Sequence, residues 1–231
     1  MTTINGYEIT RGADLSGADL SNQDLSAVLF DRVILDGADL SGSNCSDSSF
    51  EFCSMVGVNL TSANLSGSHF REVDLQESIL DGSDFTRAYL FKTNLDGVIA
   101  KSIDFDGCCI KQGINNGMTF KDCKLRGLAI SHTEMISLNV VDQDLRGISL
   151  DSCNLRGSSF INCEFEGSYL RNSILDHVNF SRSRIINVDF TGSEMRLTLL
   201  RELRNSGIDY NQLKSIIDVD KTPTPVPVIP A

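Results

Sequence analysis

The sequence lacks the short motifs that mark most catalytic and metal sites. It contains no GxGxxG, no GxxxxGK[ST] and no GxSxG. Its three histidines, His69, His132 and His177, are far apart and have none of the spacings, such as HExxH, that hold a metal ion. Acidic pairs are common, but the pattern predicts no cleft that would desolvate them and shift their pKa values. We therefore expect no catalytic residue, no metal ligand and no cofactor, and a protein that is not an enzyme.

Long hydrophobic runs are also missing. No apolar stretch approaches the ~18–20 residues that a transmembrane helix needs. Residues 1–9 lack the apolar core of a signal peptide. The sequence therefore predicts a cytoplasmic protein without membrane contact.

What the chain does have is a period of five. Every fifth residue from Leu15 to Met195 is apolar, and Asn115 is the one exception among the 37 positions. Two residues before each of these centres lies a second series, which is Ala, Ser, Cys, Thr, Val or Gly at all but seven positions. A period of five fits neither a helix at 3.6 nor a continuous strand at 2, and its persistence indicates a repeat architecture.

The chemistry of one five-residue unit explains this period. Residues two apart on extended backbone face the same side, so both series should point inward. Glycine recurs two positions after the centre, as at Gly17 and Gly37, where it supplies the positive φ of a type II turn. Four such corners close a coil of 20 residues. About nine stacked coils at ~4.8 Å each predict a β-solenoid roughly 43 Å long, with a bulge or kink expected at 113–117.

The units resemble those of the pentapeptide-repeat proteins. Ala13-Asp14-Leu15, Ala18-Asp19-Leu20 and Ala38-Asp39-Leu40 match the motif of that family, which is a small residue, Asp or Asn, and then Leu or Phe. The resemblance implies an all-β fold, a right-handed quadrilateral β-helix. We expect an N-terminal cap at 1–10 and the β-helix at 11–195.

The period breaks after Met195. Residues 196–217 read as a short α-helical C-terminal cap or dimerisation element, with an apolar stripe of Leu197, Leu200 and Leu203. Residues 218–231 form a proline-rich segment that we expect to be an extended, flexible tail.

The register also predicts where the cysteines lie. Cys45 occupies a central position, and only Cys109 should face outward. The small inward position holds Cys53, Cys108, Cys123, Cys153 and Cys163. The count of seven is odd and no CxxC pair exists, which predicts buried free thiols in a reducing cytosol.

The charge of the chain is unevenly distributed. The net charge is −11, and residues 1–100 carry 15 acids against 5 bases, whereas residues 101–231 carry 16 against 15. Duplex DNA carries about one negative charge per 1.7 Å of helix axis. The N-terminal half of the rod approaches this density of negative charge, and the C-terminal half does not. The candidate acidic partner surface consists of Asp14, Asp19, Asp36 and Asp39. The basic patches of nucleic-acid binders are absent, and direct nucleic-acid binding is not expected.

Two functions remain open at this point. The outward aromatics Phe52, Tyr89, Phe91 and Tyr169 lie on one side of the rod and favour a non-catalytic protein-interaction or scaffold rod, bacterial, with an unidentified protein partner. The alternative is an acidic DNA mimic that binds a type II topoisomerase, DNA gyrase, and modulates or protects it. A resemblance to the quinolone-resistance members of the family implies this alternative, together with a homodimer through the C-terminal helix. Against it, the nearly neutral half of this chain would lie at the centre of such a dimer.

Overall fold

The computed structural model describes residues 2–195 of the 231-residue chain. Within this range there is no helix, and so none that could cross a membrane. The predicted cap helix at 196–217 and the tail at 218–231 lie outside the described residues. The strands are β1 Thr2–Ile4, β2 Tyr7–Ile9, β3 Leu29–Asp31, β4 Ser49–Glu51, β5 His69–Arg71, β6 Tyr89–Phe91, β7 Ile99–Lys101, β8 Cys109–Lys111, β9 Thr119–Lys121, β10 Ala129–Ser131, β11 Asn139–Val141, β12 Ser149–Asp151 and β13 Ser159–Ile161.

A short hairpin covers the N-terminal end of the rod. β1 and β2 pair antiparallel, and Ile9 is buried while Ile4 and Tyr7 pack partly against the core. Asn5 Nδ2 donates a hydrogen bond to the backbone carbonyl of Asp19 at 2.8 Å. These contacts shield apolar side chains of the first coil that would otherwise face water.

Every other strand pairing is parallel and joins residues 20 apart. β3 lies beside β4 with Phe30 opposite Phe50, and single bridges join Asp19 to Asp39 in the same way. Each 20-residue coil contributes one rung to each of four parallel ladders. The predicted parallel β-solenoid is therefore confirmed.

The strands account for fewer turns than the nine or so that the period predicts. One sheet has seven strands, β3, β4, β5, β6, β8, β10 and β12, which corresponds to about seven turns. A second sheet of four strands, β7, β9, β11 and β13, lies two corners further round the coil. The counts differ because the coils at the ends of the rod pair through isolated bridges and not through strands. Examples are the bridges from Ser149 to Tyr169 and from Tyr169 to Asp189.

The inward assignment of the two series is confirmed. All 37 centres are buried, and so are most members of the small series. Like residues stack on like along the ladders: the ring centroids of Phe30 and Phe50 are 4.7 Å apart, and those of Phe50 and Phe70 are 4.8 Å apart. The Phe column is thus a close-packed core and contacts no ligand site.

The corners adopt the left-handed conformation that glycine favours. Gly17 has φ 66°, and hydrogen bonds such as Ala18 N to Leu15 O at 3.0 Å close many of the turns. The same conformation occurs at 22 corners that carry no glycine, including Phe52 at 57° and Arg87 at 57°. A side chain in this region costs about 1–2 kcal/mol, so stacking imposes the corner even where glycine is absent.

The Asp or Asn before each centre has a local structural task. The backbone N–H two residues later does not pair with the adjacent coil, and the Asx side chain accepts its hydrogen bond. Asn64 Oδ1, for example, accepts from Ser66 N at 3.0 Å and from Ser66 Oγ at 2.7 Å. Since Oδ1 is common to Asp and Asn, the turn does not require the negative charge.

In several units that lack this Asx residue, the coil before it supplies the acceptor. Ser54 precedes the centre Met55, and Asp36 Oδ1 from 20 residues earlier accepts from Val56 N at 3.0 Å and from Ser54 Oγ at 2.6 Å. Asp96 caps Asn116 N in the same way at 2.8 Å. This second pattern links consecutive coils through side chains.

The Asx turn can be tested at a site with neutral chemistry. Replacing Asn64 by Ala is expected to lower the free energy of unfolding by about 1 kcal/mol, because the amide of Ser66 loses its acceptor. Asn64→Asp keeps Oδ1 and should cost clearly less than the Ala variant. Urea unfolding followed by far-UV circular dichroism measures both, and equal losses would show that the Oδ1 bond contributes nothing.

The predicted bulge at 113–117 does not occur. Ile114 bridges both Asn94 and Glu134, so the 20-residue register passes through unbroken. Asn115 is fully buried in its column, and within residues 2–195 neither Nδ2 nor Oδ1 of its side chain has a hydrogen-bond partner. Gly113 makes room for it, because a Cβ there would lie 2.7 Å from the Thr93 carbonyl oxygen and 3.2 Å from Asn115 Oδ1.

Candidate interaction surfaces

The seven-stranded sheet presents the four predicted aromatic residues on one side of the rod. Tyr89 and Phe91 flank the buried Leu90 in β6, and Phe52 is the corner residue that follows β4. Tyr169 continues the column of Tyr89 through its bridge to Ser149. We call this outer surface the aromatic face; its cationic members are Arg32, Arg71, Lys92, Lys111 and Arg171.

The rings on the aromatic face alternate with cations. Tyr89 and Phe91 are nearly parallel, at 5°, with centroids 6.4 Å apart. Lys111 Nζ lies 5.9 Å from the Tyr89 centroid, and Lys92 Nζ lies 5.5 Å from that of Phe91. These contacts hold the rings and restrict the freedom that a partner would otherwise have to remove.

Phe52 and Tyr169 have the same kind of neighbour. The Phe52 ring lies between Arg32 and Arg71, whose Cζ atoms are 4.8 and 5.2 Å from its centroid. Arg171 lies 4.8 Å over Tyr169, whose exposed fraction of 43% leaves much of the ring open. All four predicted aromatics thus belong to one surface of rigid rings and guanidinium or ammonium groups.

Some cations of the aromatic face are paired and others are not. Lys92 contacts Glu72 at 3.3 Å, and Arg171 contacts Asp151 at 2.5 Å. Burial alone would raise the pKa of Asp151, but its hydrogen bonds from Arg171 keep that pKa below the usual value. Arg71 and Lys111 form no ion pair within the described part of the chain, and their charges remain available to a partner.

The four predicted acidic residues lie on two neighbouring sides of the N-terminal coils. Asp19 and Asp39 are direct neighbours in one ladder, and Asp14 belongs to the ladder of Ile34 on the adjacent side. Ser16 and Ser21 donate to the Oδ1 atoms of Asp14 and Asp19, which lowers the pKa of each carboxyl. None of the four forms an ion pair among residues 2–195.

These contacts explain why Asp or Asn recurs at such positions. One oxygen of each carboxylate is committed to a turn or, at Asp36, to the next coil. The contacts use an oxygen acceptor, which Asn would also provide, and they leave the negative charges without an ion pair among residues 2–195. The third predicted set, Leu197, Leu200 and Leu203, lies outside the described residues.

A groove appears where the sequence predicted none. It has a volume of about 610 Å³, and its polar lining consists of Asp106, Lys124, Arg126, Asp144, Arg146 and Glu166. Four corner glycines, Gly107, Gly127, Gly147 and Gly167, stack alongside it and leave the corner without side chains. Their spacing of 20 residues is a signal that could have located this depression from the sequence.

The chemistry of the groove is that of paired surface charges. Lys124 contacts Asp104 at 2.6 Å, and Arg146 contacts Asp144 at 2.6 Å. The hydrogen bonds from Arg146 lower the pKa of Asp144. Across residues 2–195, no cluster of three His, Cys, Asp or Glu side chains could hold a metal ion. The charges of Lys124 and Arg146 in the groove are therefore balanced by neighbouring carboxylates.

All seven cysteines are free, and burial dominates their chemistry. Burial raises the pKa of Cys45 and Cys53 to about 11 and that of Cys153 to about 12. Cys109 is half-buried and faces outward as predicted. Cys123 differs from the prediction: it occupies an inward position but is only half-buried, because it borders the groove.

Thiol labelling tests this order of exposure. At pH 8 we expect Cys109 to react first and Cys123 second, while Cys53, Cys108 and Cys153 react only when the chain unfolds, because they are buried as neutral thiols. Mass spectrometry of peptides after timed alkylation resolves the sites. Labelling of Cys153 at the rate of Cys109 would contradict the packing. Desolvation also raises the pKa of Cys123, which should therefore react more slowly than its exposure alone suggests.

Comparison with solved structures returns several pentapeptide-repeat proteins. HetL, involved in heterocyst differentiation regulation in the cyanobacterium Nostoc sp. strain PCC 7120, is 17% identical over 80% of this chain and 90% of that one, with a TM-score of 0.29. Trypsin-treated QnrB1, a plasmid-mediated fluoroquinolone resistance protein, is 16% identical over 87% and 97%, with a TM-score of 0.44. Rfr23 from Cyanothece 51142 is 16% identical over 46% and 89%, with a TM-score of 0.35. Similarity at these identities and TM-scores does not show that this chain shares a partner or a function with any of them.

Sequence comparison identifies the repeat itself. No curated protein sequence gave a match. The family model described as "Pentapeptide repeat region" matches residues 23–100, and the one described as "Pentapeptide repeats (9 copies)" matches residues 150–194. The two models match segments near both ends of the rod, and the 20-residue ladders have the period that four such repeats require. The chain belongs to the pentapeptide-repeat family.

Proposed function

We propose that this protein is a non-catalytic interaction rod whose aromatic face is the docking surface for a protein partner. The observation that carries the proposal is the gathering of Phe52, Tyr89, Phe91 and Tyr169, each beside a cation, on the side of the rod that contains the seven-stranded sheet. Tyr and Arg, together with Trp, are the residue types enriched among those that dominate binding energy at interfaces. Rings already held in place lose little freedom on binding.

The non-catalytic part of the proposal rests on the polar groups of the groove. Within the groove Asp144 is paired with Arg146, Glu166 lies 3.8 Å from Arg184, and the Cys123 thiol has a raised pKa, so none of these three groups is an activated base or nucleophile. The free thiols support a reducing compartment, and we propose the cytoplasm.

Affinity capture from a bacterial lysate tests the docking surface. The double variant Tyr89→Ser with Phe91→Ser removes both rings, and serine already occupies the same outward columns at Ser49 and Ser131. The matched control is Ile99→Ser with Val141→Ser, which removes exposed apolar groups from the four-stranded sheet. We expect the wild type and the control to retain the same protein and the aromatic variant to lose it. Retention by the aromatic variant would overturn the proposal.

The second candidate is an acidic DNA mimic that binds DNA gyrase. The excess of 15 acids over 5 bases in residues 1–100 supports it, together with the absence of ion pairs at Asp14, Asp19, Asp36 and Asp39 within residues 2–195. Asp19 and Asp39 lie one rung apart, at ~4.8 Å, and concentrated negative charge of this kind steers association with basic clefts.

Replacing the four acids by asparagine gives a clean test, because Asn keeps the Oδ1 acceptor that the turns need. Wild-type protein should inhibit or protect gyrase in a supercoiling assay under this candidate, and the quadruple Asn variant should not. The salt dependence of binding should also fall. A wild-type protein without effect on supercoiling at tens of micromolar would remove the candidate and leave the interaction rod.

The stripe Leu197, Leu200 and Leu203 remains a prediction in both cases. If it joins two chains, light scattering should give twice the chain mass of 25.3 kDa, and Leu200→Glu should yield a folded monomer. If it caps the last coil, the wild type should be monomeric and Leu200→Glu should destabilise it.

A further inference from the structure

The aromatic face is open on its outer side. Leu29, at one end of the same sheet, has an exposed fraction of 57%, and Tyr169 near the other end has 43%. Between them, Tyr89 and Phe91 stand parallel with a centroid distance of 6.4 Å. Arg71 and Lys111 have no ion-pair partner within residues 2–195. A segment that suits this surface should combine apolar side chains with a few acids.

The chain itself contains such a segment. All four of its prolines, Pro223, Pro225, Pro227 and Pro230, lie in one stretch, separated by Thr, Val and Ile. Sequences of this kind favour the polyproline II conformation, which is extended before it binds and therefore loses little entropy. Aromatic surfaces are the usual receptors of polyproline II segments. Asp218 and Asp220 precede the prolines and supply the complementary charge.

The distance between the two elements is within reach. The described residues end at Met195, about five turns or ~24 Å along the rod from the rung of Tyr89. Residues 196–221 provide 26 residues before Thr222. Even in a helix, with a rise of 1.5 Å per residue, 26 residues span ~39 Å, which exceeds the ~24 Å to the rung of Tyr89. A more extended conformation spans a longer distance still.

We infer that residues 222–230 of the same chain bind the aromatic face in the absence of a partner, with Asp218 and Asp220 directed at Lys111 and Arg71. The tail would then compete with any protein that docks there. This inference uses the surface of the proposed function, but it concerns the isolated chain and does not require that a partner exists.

Fluorine NMR of protein labelled with 3-fluorotyrosine tests the contact directly. The chain has four tyrosines, Tyr7, Tyr89, Tyr169 and Tyr210, whose signals are assigned by single Tyr→Phe substitutions. We compare the full chain with one that ends at Lys221, and with a full-length variant whose four prolines are serine. The Tyr89 signal should shift in both variants, while that of Tyr7, in the N-terminal hairpin, should not.

Two further arms fix the occupant. A peptide of residues 218–231 added to the shortened chain should restore the Tyr89 position in a saturable way, and Asp218→Asn with Asp220→Asn should weaken it. An identical Tyr89 signal in the full, shortened and proline-free chains would overturn the inference. A shift that vanishes on dilution would overturn it as well, because the tail of a second copy would then be the occupant. Neither result bears on capture of a partner by the aromatic face.

Discussion

Leu65→Asp is expected to unfold the rod. Leu65 is fully buried at a central position, with coils stacked on both sides, and a carboxylate there has neither water nor a cation to solvate it. Burial of an unpaired charge costs more than the total stability of many domains, and we expect a loss of more than about 4 kcal/mol in the free energy of unfolding. Phe160→Asp, several coils away, should have the same effect.

The matched control lies one residue further along the chain. Ser66 faces outward, and its hydroxyl donates to Asn64 Oδ1 at 2.7 Å. Ser66→Asp removes that bond but leaves the new carboxylate in water, so it should cost about 1 kcal/mol. Thermal and urea unfolding of the three variants measures the differences. Equal losses for the inward and outward substitutions would contradict the inward assignment.

A second large effect is expected from deletions that respect or break the register. Removing residues 43–62 takes out one complete coil of 20 residues and joins Gly42 to Ala63. Every later centre then stays in its column, and Phe30 stacks on Phe70 in place of Phe50. Because a solenoid is stabilised by contacts between neighbouring coils, the shortened rod should fold and unfold cooperatively.

Removing residues 43–61 instead leaves one residue too many in the junction. The ladders on the two sides are then out of register by one position, which turns a buried side chain outward or forces a strained corner. We expect this deletion to be less stable than the 20-residue deletion by at least about 3 kcal/mol, measured by urea unfolding. Similar stability for the two deletions would contradict the 20-residue register.

Much of the fold follows from the sequence because the core imposes a strict composition. The apolar centres and the small series predicted the buried side, the like-on-like columns and the outward position of Cys109. The aromatic residues Phe52, Tyr89, Phe91 and Tyr169 could be assigned to one side because the residue number of each one gives its position within the 20-residue coil.

Other features depend on contacts between coils that a five-residue pattern does not contain. The acceptor role of Asp36 toward Val56 arises only when coils are stacked, because the two residues are 20 apart. The left-handed corner at Phe52 cannot be predicted from its side chain, since stacking and not local preference imposes it. The partial exposure of Cys123 likewise does not follow from its inward position in the register, because it depends on the groove that Cys123 borders.

The acidic residues show why charge alone is weak evidence for a DNA mimic. Asp14 and Asp19 form the same turn as Asn64, so the repeat can accumulate acids without any partner to select them. If the acids serve only the turns, replacing Asp by Asn should leave partner binding unchanged, because the acceptor is kept. If their charge binds a partner, the same replacement should weaken that binding. The Asn substitutions separate these two roles.

The most direct measurement compares the affinity of the captured partner for three purified rods by calorimetry. Relative to the wild type, Tyr89→Ser with Phe91→Ser should weaken binding by at least about 30-fold, the effect of losing one dominant interface residue. The variant in which Asp14, Asp19, Asp36 and Asp39 are asparagine should stay within about threefold, since these acids lie outside the aromatic face and distant charges act mainly on association rates. The opposite result, with full affinity in the aromatic variant and a large loss in the asparagine variant, would contradict the assignment of binding to the aromatic face.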